Sequence, residues 1–289
     1  MNNVRIAAVS KQLPPFTRDT AAILPYVDKW LAGQDERFRR KVIKIFEGAA
    51  VDVRYGIMDI DEVFRETSFE EKNNIYVEQV KLLGKNALQK ALKKANWNAD
   101  SIDYIITVSC TGIMIPSLDA YLVNELDMAQ DIIRLPVTEM GCAAGVSGLI
   151  YANDFLRSNP DKRAAVIAVE SPTATFQLND YTMANMVSAA IFGDGAACVL
   201  LSSEENAIGP KIKAGEMYHF KDATHLMGFE LTNSGLKMIL DPSVPAKIAE
   251  HFPDIIHPFL EKHESSMEEV AHLIFHPGGR KIVQTVEEL

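Results

Sequence analysis

Apolar and polar residues follow one another along this chain with two different spacings. Short runs that are apolar or alternating predict strands, and longer runs with apolar residues three and four positions apart predict helices. The predicted strands cover residues 4–9, 104–108, 132–138, 164–169, 196–202 and 271–275. The predicted helices cover residues 21–46, with a break near Gly33, and residues 69–95, 117–126, 143–157 and 183–192. This alternation predicts an α/β fold in which helices and sheets form layers.

Two of these helices carry further signals. Ser68 and Glu71 have the spacing of a capping box, which predicts that the long helix begins at residue 69. One apolar face of the helix over 143–157 consists of Val146, Leu149, Ile150 and Leu156. Because apolar residues also extend around much of the rest of this helix, we expect it to be buried near the centre of the protein. A polar stretch after residue 202 marks the expected boundary between two halves, residues 1–202 and 203–289.

Composition and charge exclude several classes of protein. The chain has 289 residues, 47% of them hydrophobic and 24% charged, which is typical of a globular protein with a sizeable core. Its formal net charge of −10 argues against nucleic acids and anionic membrane surfaces as partners. The longest apolar runs have the length of strands and are far too short to span a membrane. Because the net charge is negative, any anionic ligand must bind at a local cluster of basic residues.

Cysteine usage indicates a reducing compartment. Cys110, Cys142 and Cys198 are odd in number and lack the spacing of a metal site. No secretory signal is visible at the N-terminus. We therefore expect a cytoplasmic protein without disulfides.

Cys142 is the strongest candidate for a reactive group. It follows a predicted strand and stands at the start of a predicted helix, where unpaired N–H groups and the helix dipole favour a thiolate. Small residues, Gly141, Ala143, Ala144 and Gly145, leave room around the sulfur. His276 stands in a turn after the predicted strand over 271–275, so a Cys–His pair for acyl transfer is plausible. The alternative is that Cys142 is a small core residue, as most free cysteines are.

Four segments together resemble the type III polyketide synthases, the chalcone and stilbene synthase family of the thiolase superfamily. They are GCAAG around Cys142, SPTATF ending at Phe176, FGDGAA at 192–197 and HPGG at 276–279. The resemblance covers essentially the whole chain. It implies a thiolase-like α/β fold of two layered α-β-α halves, a homodimer, and coenzyme A thioesters as substrates.

The resemblance also implies roles for individual residues. Cys142 would load a starter acyl group, and His276 would stabilise its thiolate and donate a hydrogen bond during decarboxylation of malonyl-CoA. The resulting enolate would attack the loaded acyl group, without any metal or redox cofactor. Phe176 matches the gatekeeper phenylalanine between the coenzyme A tunnel and the reaction cavity, and Ile115 matches a position that reaches into the cavity of the partner subunit.

Basic residues that could bind the coenzyme A phosphates are few. The candidates are Lys44, Arg54 and Lys281, because Gly48 and Asp52 stand where the plant members carry basic residues. Asp194 of the FGDGAA segment is interpreted as a hydrogen-bond acceptor in a tight turn rather than as a catalytic group.

The C-terminal part departs from the family pattern. The third catalytic residue of the family is an asparagine in a GNMSSA-like motif, and the 289 residues contain no such motif. We therefore expect a shortened chain with an incomplete second half and weak activity or none. Two alternatives stay open. One is an enzyme like β-ketoacyl-ACP synthase III, which HPGG in place of an HQAN-like segment disfavours, and the other is an inactive thiolase-like partner.

Overall fold

The structure is a computed structural model that describes residues 3–289. The chain forms two compact units, each built from separate stretches of sequence. The first contains residues 3–18, Arg54–Phe176 and Gly193–Gly215, and the second contains Asp19–Val53, Gln177–Phe192 and Glu216–Leu289. These units follow contacts rather than internal similarity, so the division into thiolase-like halves at residue 202 stays a prediction.

The helices and strands follow most of the predicted order. Within residues 3–289 the strands are β1 (Arg5–Gln12), β2 (Phe16–Asp19), β3 (Val53–Gly56), β4 (Tyr104–Val108), β5 (Ile133–Val137), β6 (Arg163–Glu170), β7 (Gly195–Ser202), β8 (Met227–Thr232) and β9 (Gly235–Leu240). The helices are α1 (Thr20–Trp30), α2 (Glu36–Gly48), α3 (Ile60–Val63), α4 (Phe69–Ala95), α5 (Leu118–Glu125), α6 (Ala144–Ser158), α7 (Met183–Ile191), α8 (Val244–Lys262) and α9 (Arg280–Glu287). None of the helices in this part of the chain is both long and apolar enough to cross a membrane.

The first unit is built on a five-stranded sheet with the order β1-β7-β6-β4-β5. Strand β7 is antiparallel to β1 and β6, whereas β4 is parallel to both β5 and β6. The parallel register pairs Ile106 with Leu135 and Val166. All five residues of β4 are buried, because helices cover both faces of the sheet. The carboxyl ends of β4 and β6 therefore lie side by side at one edge of a rigid layer.

Helix α4 covers one face of this sheet. It begins at Phe69 as predicted, and the hydroxyl of Ser68 accepts a hydrogen bond of 3.1 Å from the backbone N–H of Glu71. Its buried residues, from Tyr76 to Leu92, pack against side chains of β4, β6 and β7 that include Ile105, Ile167 and Leu200. This N-cap bond fixes the start of the longest helix of the first unit, while the carboxylate of Glu71 pairs with Arg65 instead of completing the capping box.

Helix α6 covers the opposite face with only part of the predicted apolar face: Leu156 is fully buried and Leu149 packs against the core. Val146 is 62% exposed, and the buried residues of the helix are mostly small. A Cβ added at Gly148 would lie 2.8 Å from Cγ1 of Val166, so this glycine allows the helix to approach the sheet closely. Where the residues of a helix are small, it is mainly the helix backbone that becomes buried against the sheet. The pattern of apolar residues in a sequence does not reveal this kind of contact.

The second unit contains α1, α2, α7, the β8–β9 hairpin, α8 and α9. The predicted break near Gly33 is confirmed, since α1 and α2 are separated by a turn. The predicted strand over 271–275 is wrong: this segment is irregular, and Ile274 in it is 98% exposed. A strand needs a neighbour to pair its backbone groups, and no strand among residues 3–289 pairs with this segment. The apolar pattern shows that residues 271–275 could form a strand, but it does not show whether a neighbouring strand is present to pair with them.

Candidate active site

Cys142 lies in the turn that leads into α6. Gly141 has a φ of 52°, in the left-handed region that glycine adopts without strain, and residues Gly141–Ala143 form one turn of 3₁₀ helix before α6 begins. Cys142 is exposed. A Cβ added at Gly141 or Gly145 would meet nothing within 4 Å, so the small residues around the thiol do leave open space. No side chain therefore fills the space directly beside Gly141 or Gly145, on either side of Cys142 in the sequence.

The electrostatics of this thiol differ from the expectation. Partial desolvation, and next the negative charge of Glu170, raise the pKa of Cys142, while a backbone hydrogen bond opposes them only in part. The predicted lowering of the pKa by the helix N-terminus is therefore wrong. A single 3₁₀ turn and a helix end are too weak to outweigh burial and a nearby carboxylate. Within the first unit, partial desolvation and the charge of Glu170 therefore make the Cys142 thiol harder to deprotonate.

Glu170 is the residue that the sequence analysis missed. It is the last residue of β6, and its carboxylate accepts hydrogen bonds from the backbone N–H of Cys110, at 3.0 and 3.1 Å, and from the hydroxyl of Thr111, at 2.7 Å. The same hydroxyl accepts a bond of 2.8 Å from the backbone N–H of Ser171. Burial raises the pKa of Glu170, although these hydrogen bonds oppose the rise. The carboxylate thus ties together the ends of β4 and β6.

Cys110 belongs to the same cluster, which we call the Glu170 cluster: Cys110, Thr111, Cys142 and Glu170. Desolvation, followed by the charge of Glu170, strongly raises the pKa of Cys110, which also interacts electrostatically with Cys142. One signal could have found this cluster. Polar residues that directly follow two neighbouring parallel strands converge at one edge of the sheet, the usual place for a site in an α/β protein.

The residues on either side of Cys110 and Thr111 in the loop after β4 are tightly packed against Tyr76 of α4. The hydroxyls of Tyr76 and Ser109 are 2.6 Å apart, and burial raises the pKa of Tyr76 to about 12. A Cβ added at Gly112 would lie 2.3 Å from the Tyr76 ring, so only glycine fits there. This packing holds the loop after β4, and with it the Glu170 cluster, in one conformation.

Phe176 is buried in the first unit. Its ring packs edge-on against Phe64, with the centroids 5.7 Å apart. Its backbone carbonyl accepts a hydrogen bond of 2.6 Å from the ammonium group of Lys72. The assignment of Phe176 as a gatekeeper stays a prediction, but its side chain and its backbone are both held in place.

Asp194 is a hydrogen-bond acceptor as predicted, but it binds backbone groups distant in the sequence rather than those of its own tight turn. Its carboxylate accepts a bond of 2.7 Å from the backbone N–H of Ile57 and one of 2.9 Å from that of Thr173. Burial raises the pKa of Asp194 to about 6, although these bonds and Arg18 oppose the rise. Asp194 therefore anchors the 3₁₀ turn Pro172–Thr175 that precedes Phe176.

Ile115 is 90% exposed in the loop between β4 and α5. Four of the other exposed apolar residues of the first unit lie in β5, in the loops after β4 and β5, or at the start of α6. They are Ile113, Ile133, Met140 and Val146. Strand β5 is also an edge strand of the sheet. The first unit thus presents both apolar side chains and free backbone groups in this region.

The three candidates for phosphate binding differ in exposure. Lys44 is exposed on α2 and Lys281 is exposed on α9, both in the second unit. Arg54 is only 6% exposed, and burial lowers its pKa. Its proposed contact with a coenzyme A phosphate does not fit this burial, because the guanidinium has almost no surface to offer. Helix α2 also exposes Arg37, Arg40 and Lys41, which with Lys44 form a basic stripe at helical spacing.

His276 lies in the second unit, in the turn that leads into α9. Its carbonyl accepts a bond of 2.9 Å from the backbone N–H of Gly278, and Gly279 has a φ of 142° that only glycine adopts readily. The HPGG segment is thus a tight turn, and burial lowers the pKa of the imidazole. A neutral imidazole can accept a proton. The pairing of His276 with Cys142 stays a prediction.

Comparison with known proteins places these features in a family. The model of the N-terminal domain of chalcone and stilbene synthases matches residues 18–205. A phloroglucinol synthase from Pseudomonas fluorescens is 30% identical over 245 residues, which cover 83% of this chain and 69% of that protein. A 1,3,6,8-tetrahydroxynaphthalene synthase from Streptomyces peucetius is 30% identical over 285 residues, which cover 97% of this chain and 75% of that protein.

A solved structure agrees with these matches. The crystal structure of 1,3,6,8-tetrahydroxynaphthalene synthase from Streptomyces coelicolor A3(2), described as a bacterial type III polyketide synthase, superimposes with a TM-score of 0.93 at 25% identity. The match covers 98% of this chain and 80% of that chain. The expected thiolase-like α/β fold is thereby confirmed.

Proposed function

Because the chain belongs to the chalcone and stilbene synthase family of type III polyketide synthases, we propose that its reaction begins when Cys142 takes the acyl group of a coenzyme A thioester. The observation that carries this proposal is the exposed thiol at the start of α6, in open space and in the family's GCAAG segment. The match to this family disfavours the alternative of an enzyme like β-ketoacyl-ACP synthase III.

The raised pKa of Cys142 defines what the loading step requires. The thiol must lose its proton as the sulfur attacks the thioester carbonyl. We propose that His276 accepts this proton, that the imidazolium stabilises the thiolate, and that the proton leaves with the departing coenzyme A thiol. The acyl group then remains on Cys142 as a thioester. Each proton and each bond is accounted for without a metal or a redox cofactor.

Chain extension follows from the loaded thioester. Malonyl-CoA would lose carbon dioxide to give an enolate, and His276 would donate a hydrogen bond to the enolate oxygen. The enolate carbon would then attack the acyl thioester of Cys142, releasing the sulfur for the next step. Phe176 would keep water away from the enolate, as the family resemblance implies.

The basic stripe on α2 is the proposed contact for the coenzyme A phosphates. Arg37, Lys41 and Lys44 project from one side of the helix and are exposed. In a chain with a formal net charge of −10, such a stripe is a local attraction for polyanionic ligands. Lys281 is a further candidate.

A homodimer is part of the proposal. A second copy pairing through strand β5 would extend the sheet across a two-fold axis and complete the backbone hydrogen bonds of this edge. It would also cover exposed apolar residues such as Ile133 and Val146, and give Ile115 a partner to contact. A cytoplasmic location fits the three free cysteines.

Intact-protein mass spectrometry tests the loading step. The protein is incubated with a panel of acyl-CoA thioesters, and the same panel is given to Cys142→Ala and to Cys198→Ala, in which a buried cysteine is replaced. We expect an acyl adduct on the wild type and on Cys198→Ala, and none on Cys142→Ala. A wild-type chain that takes up no acyl group from any thioester would refute the proposal.

A further inference from the structure

Helix α4 carries a buried cation close to its first turn. Lys72 is only 8% exposed, and its ammonium group donates a hydrogen bond of 2.6 Å to the backbone carbonyl of Phe176. Among residues 3–289, no carboxylate forms an ion pair with Lys72. Burial lowers the pKa of this lysine. The ammonium group is therefore held by a neutral carbonyl oxygen alone.

This arrangement is costly for the fold. Lysine is almost never fully buried without a paired charge, because an ammonium group loses its hydration there. The N-terminal end of a helix is also the less favourable end for a cation, although Glu70 and Glu71 lie in the same turn. An apolar side chain of similar length would fill the space without these costs. The feature that a lysine provides here, and an apolar side chain would not, is the hydrogen bond to the backbone carbonyl of Phe176.

The carbonyl that Lys72 holds belongs to a backbone segment with several hydrogen bonds, of which two come from residues distant in the sequence within the first unit. Asp194 holds the N–H of Thr173, three residues before Phe176. Lys72 holds the carbonyl of Phe176 itself, while the ring of Phe176 rests against Phe64. Without Lys72 the carbonyl of Phe176 would lose the hydrogen bond that the ammonium group donates to it.

We propose that Lys72 is the positioning residue of the Phe176 gate, and that its bond to the Phe176 carbonyl keeps the ring where it shields the malonyl-derived enolate from water. This inference rests on the proposed function, in which the enolate must attack the acyl thioester before a proton reaches it. A gate that swings would let water protonate the enolate carbon. Malonyl-CoA would then be converted to carbon dioxide and acetyl-CoA without extension of the acyl chain.

Two variants and a control separate positioning from folding. Lys72→Met removes the donor and keeps the length of the side chain, and Lys72→Arg keeps a charged donor. Lys85→Met on the same helix is the control, because Lys85 is partly exposed and paired with Glu125 across 3.1 Å. Circular dichroism and thermal melting verify that all variants are folded.

The first readout needs no catalysis. Hydrogen–deuterium exchange is followed for the peptide covering residues 172–178. We expect exchange at least tenfold faster in Lys72→Met than in the wild type, with wild-type rates in Lys72→Arg and Lys85→Met. Unchanged exchange in Lys72→Met, or an equal increase in Lys72→Arg, would overturn the inference whether or not the protein is active.

The second readout is the ratio of acetyl-CoA to extended product made from malonyl-CoA by protein loaded with a starter. We expect this ratio to rise severalfold in Lys72→Met alone. An equal fall in both products, with the ratio unchanged, would mean that Lys72 supports folding only and would overturn the gate role. Failure of the wild type to load an acyl group refutes the proposed function instead, and the exchange measurement then decides whether Lys72 holds the Phe176 backbone.

Discussion

Replacement of Asp194 gives a sharp test of how the segment before Phe176 is held. Asp194 is buried, and its two carboxylate oxygens accept the backbone N–H groups of Ile57 and Thr173. Asp194→Asn keeps the shape and one acceptor oxygen but cannot ionise, and Asp194→Ala removes both acceptors. Both variants therefore remove the same titration while differing in the hydrogen bonds that they lose.

The size of the effect follows from the pKa. Burial raises the pKa of Asp194 from 3.8 to about 6, so the folded protein binds the proton more tightly than the unfolded chain does. A raised carboxyl pKa means that this group's contribution is intact below about pH 4 and is lost as the pH rises through 6. A shift of about two pH units corresponds to about 3 kcal/mol.

Urea denaturation between pH 4 and pH 8 measures this contribution. We expect the stability of the wild type relative to Asp194→Asn to fall by about 3 kcal/mol between pH 4 and pH 7 and to stay level above that. Asp194→Ala should show the same dependence on pH, and at every pH it should be less stable than Asp194→Asn by about 1 to 3 kcal/mol for the lost acceptor. A difference between wild type and both variants that does not change with pH would refute the reasoning.

Two further predictions concern the thiol and the interface. Glu170→Gln removes the negative charge that helps to raise the pKa of Cys142, so alkylation of Cys142 by iodoacetamide should begin at a lower pH than in the wild type. Peptide mass spectrometry measures this pH profile, and an unchanged profile would show that desolvation alone sets the pKa of Cys142. Ile115→Asp places a charge on a side chain that is 90% exposed in one copy. Sedimentation should therefore show that the proposed dimer dissociates, with the helical content of each subunit unchanged. A dimer as tight as that of the wild type would place Ile115 outside the interface.

Much of the fold could be predicted because its signals are local. The start of α4 depends on a capping contact between residues three positions apart. Each strand of the five-stranded sheet can be predicted from a short apolar run. Residues 271–275 carry the same apolar signal, but a strand also needs a neighbour, which the run itself does not encode. Val146 shows the same limit for a helix, since spacing identifies an apolar face but not which face meets the sheet.

The candidate site was predicted only in part, for a related reason. Cys142 and His276 stand out because their residue types and small neighbours are unusual where they occur. Glu170 carries no such local signal, because a single glutamate at the end of an apolar strand is ordinary. Its importance arises from the parallel register of β4 and β6, which brings it to the backbone of Cys110 and near the sulfur of Cys142. The same missing information led to the wrong sign for the pKa of Cys142.

The raised pKa of Cys142 changes what the site must do rather than whether it can act. Alkylation and oxidation of a cysteine follow its thiolate character, so a raised pKa lowers the reactivity of an exposed thiol such as Cys142. In the proposed loading step, the thiol must therefore be deprotonated as the sulfur attacks, and His276 is the proposed proton acceptor. Glu170 therefore does two things with one carboxylate: it accepts hydrogen bonds from the residues after β4, and its charge helps to raise the pKa of Cys142.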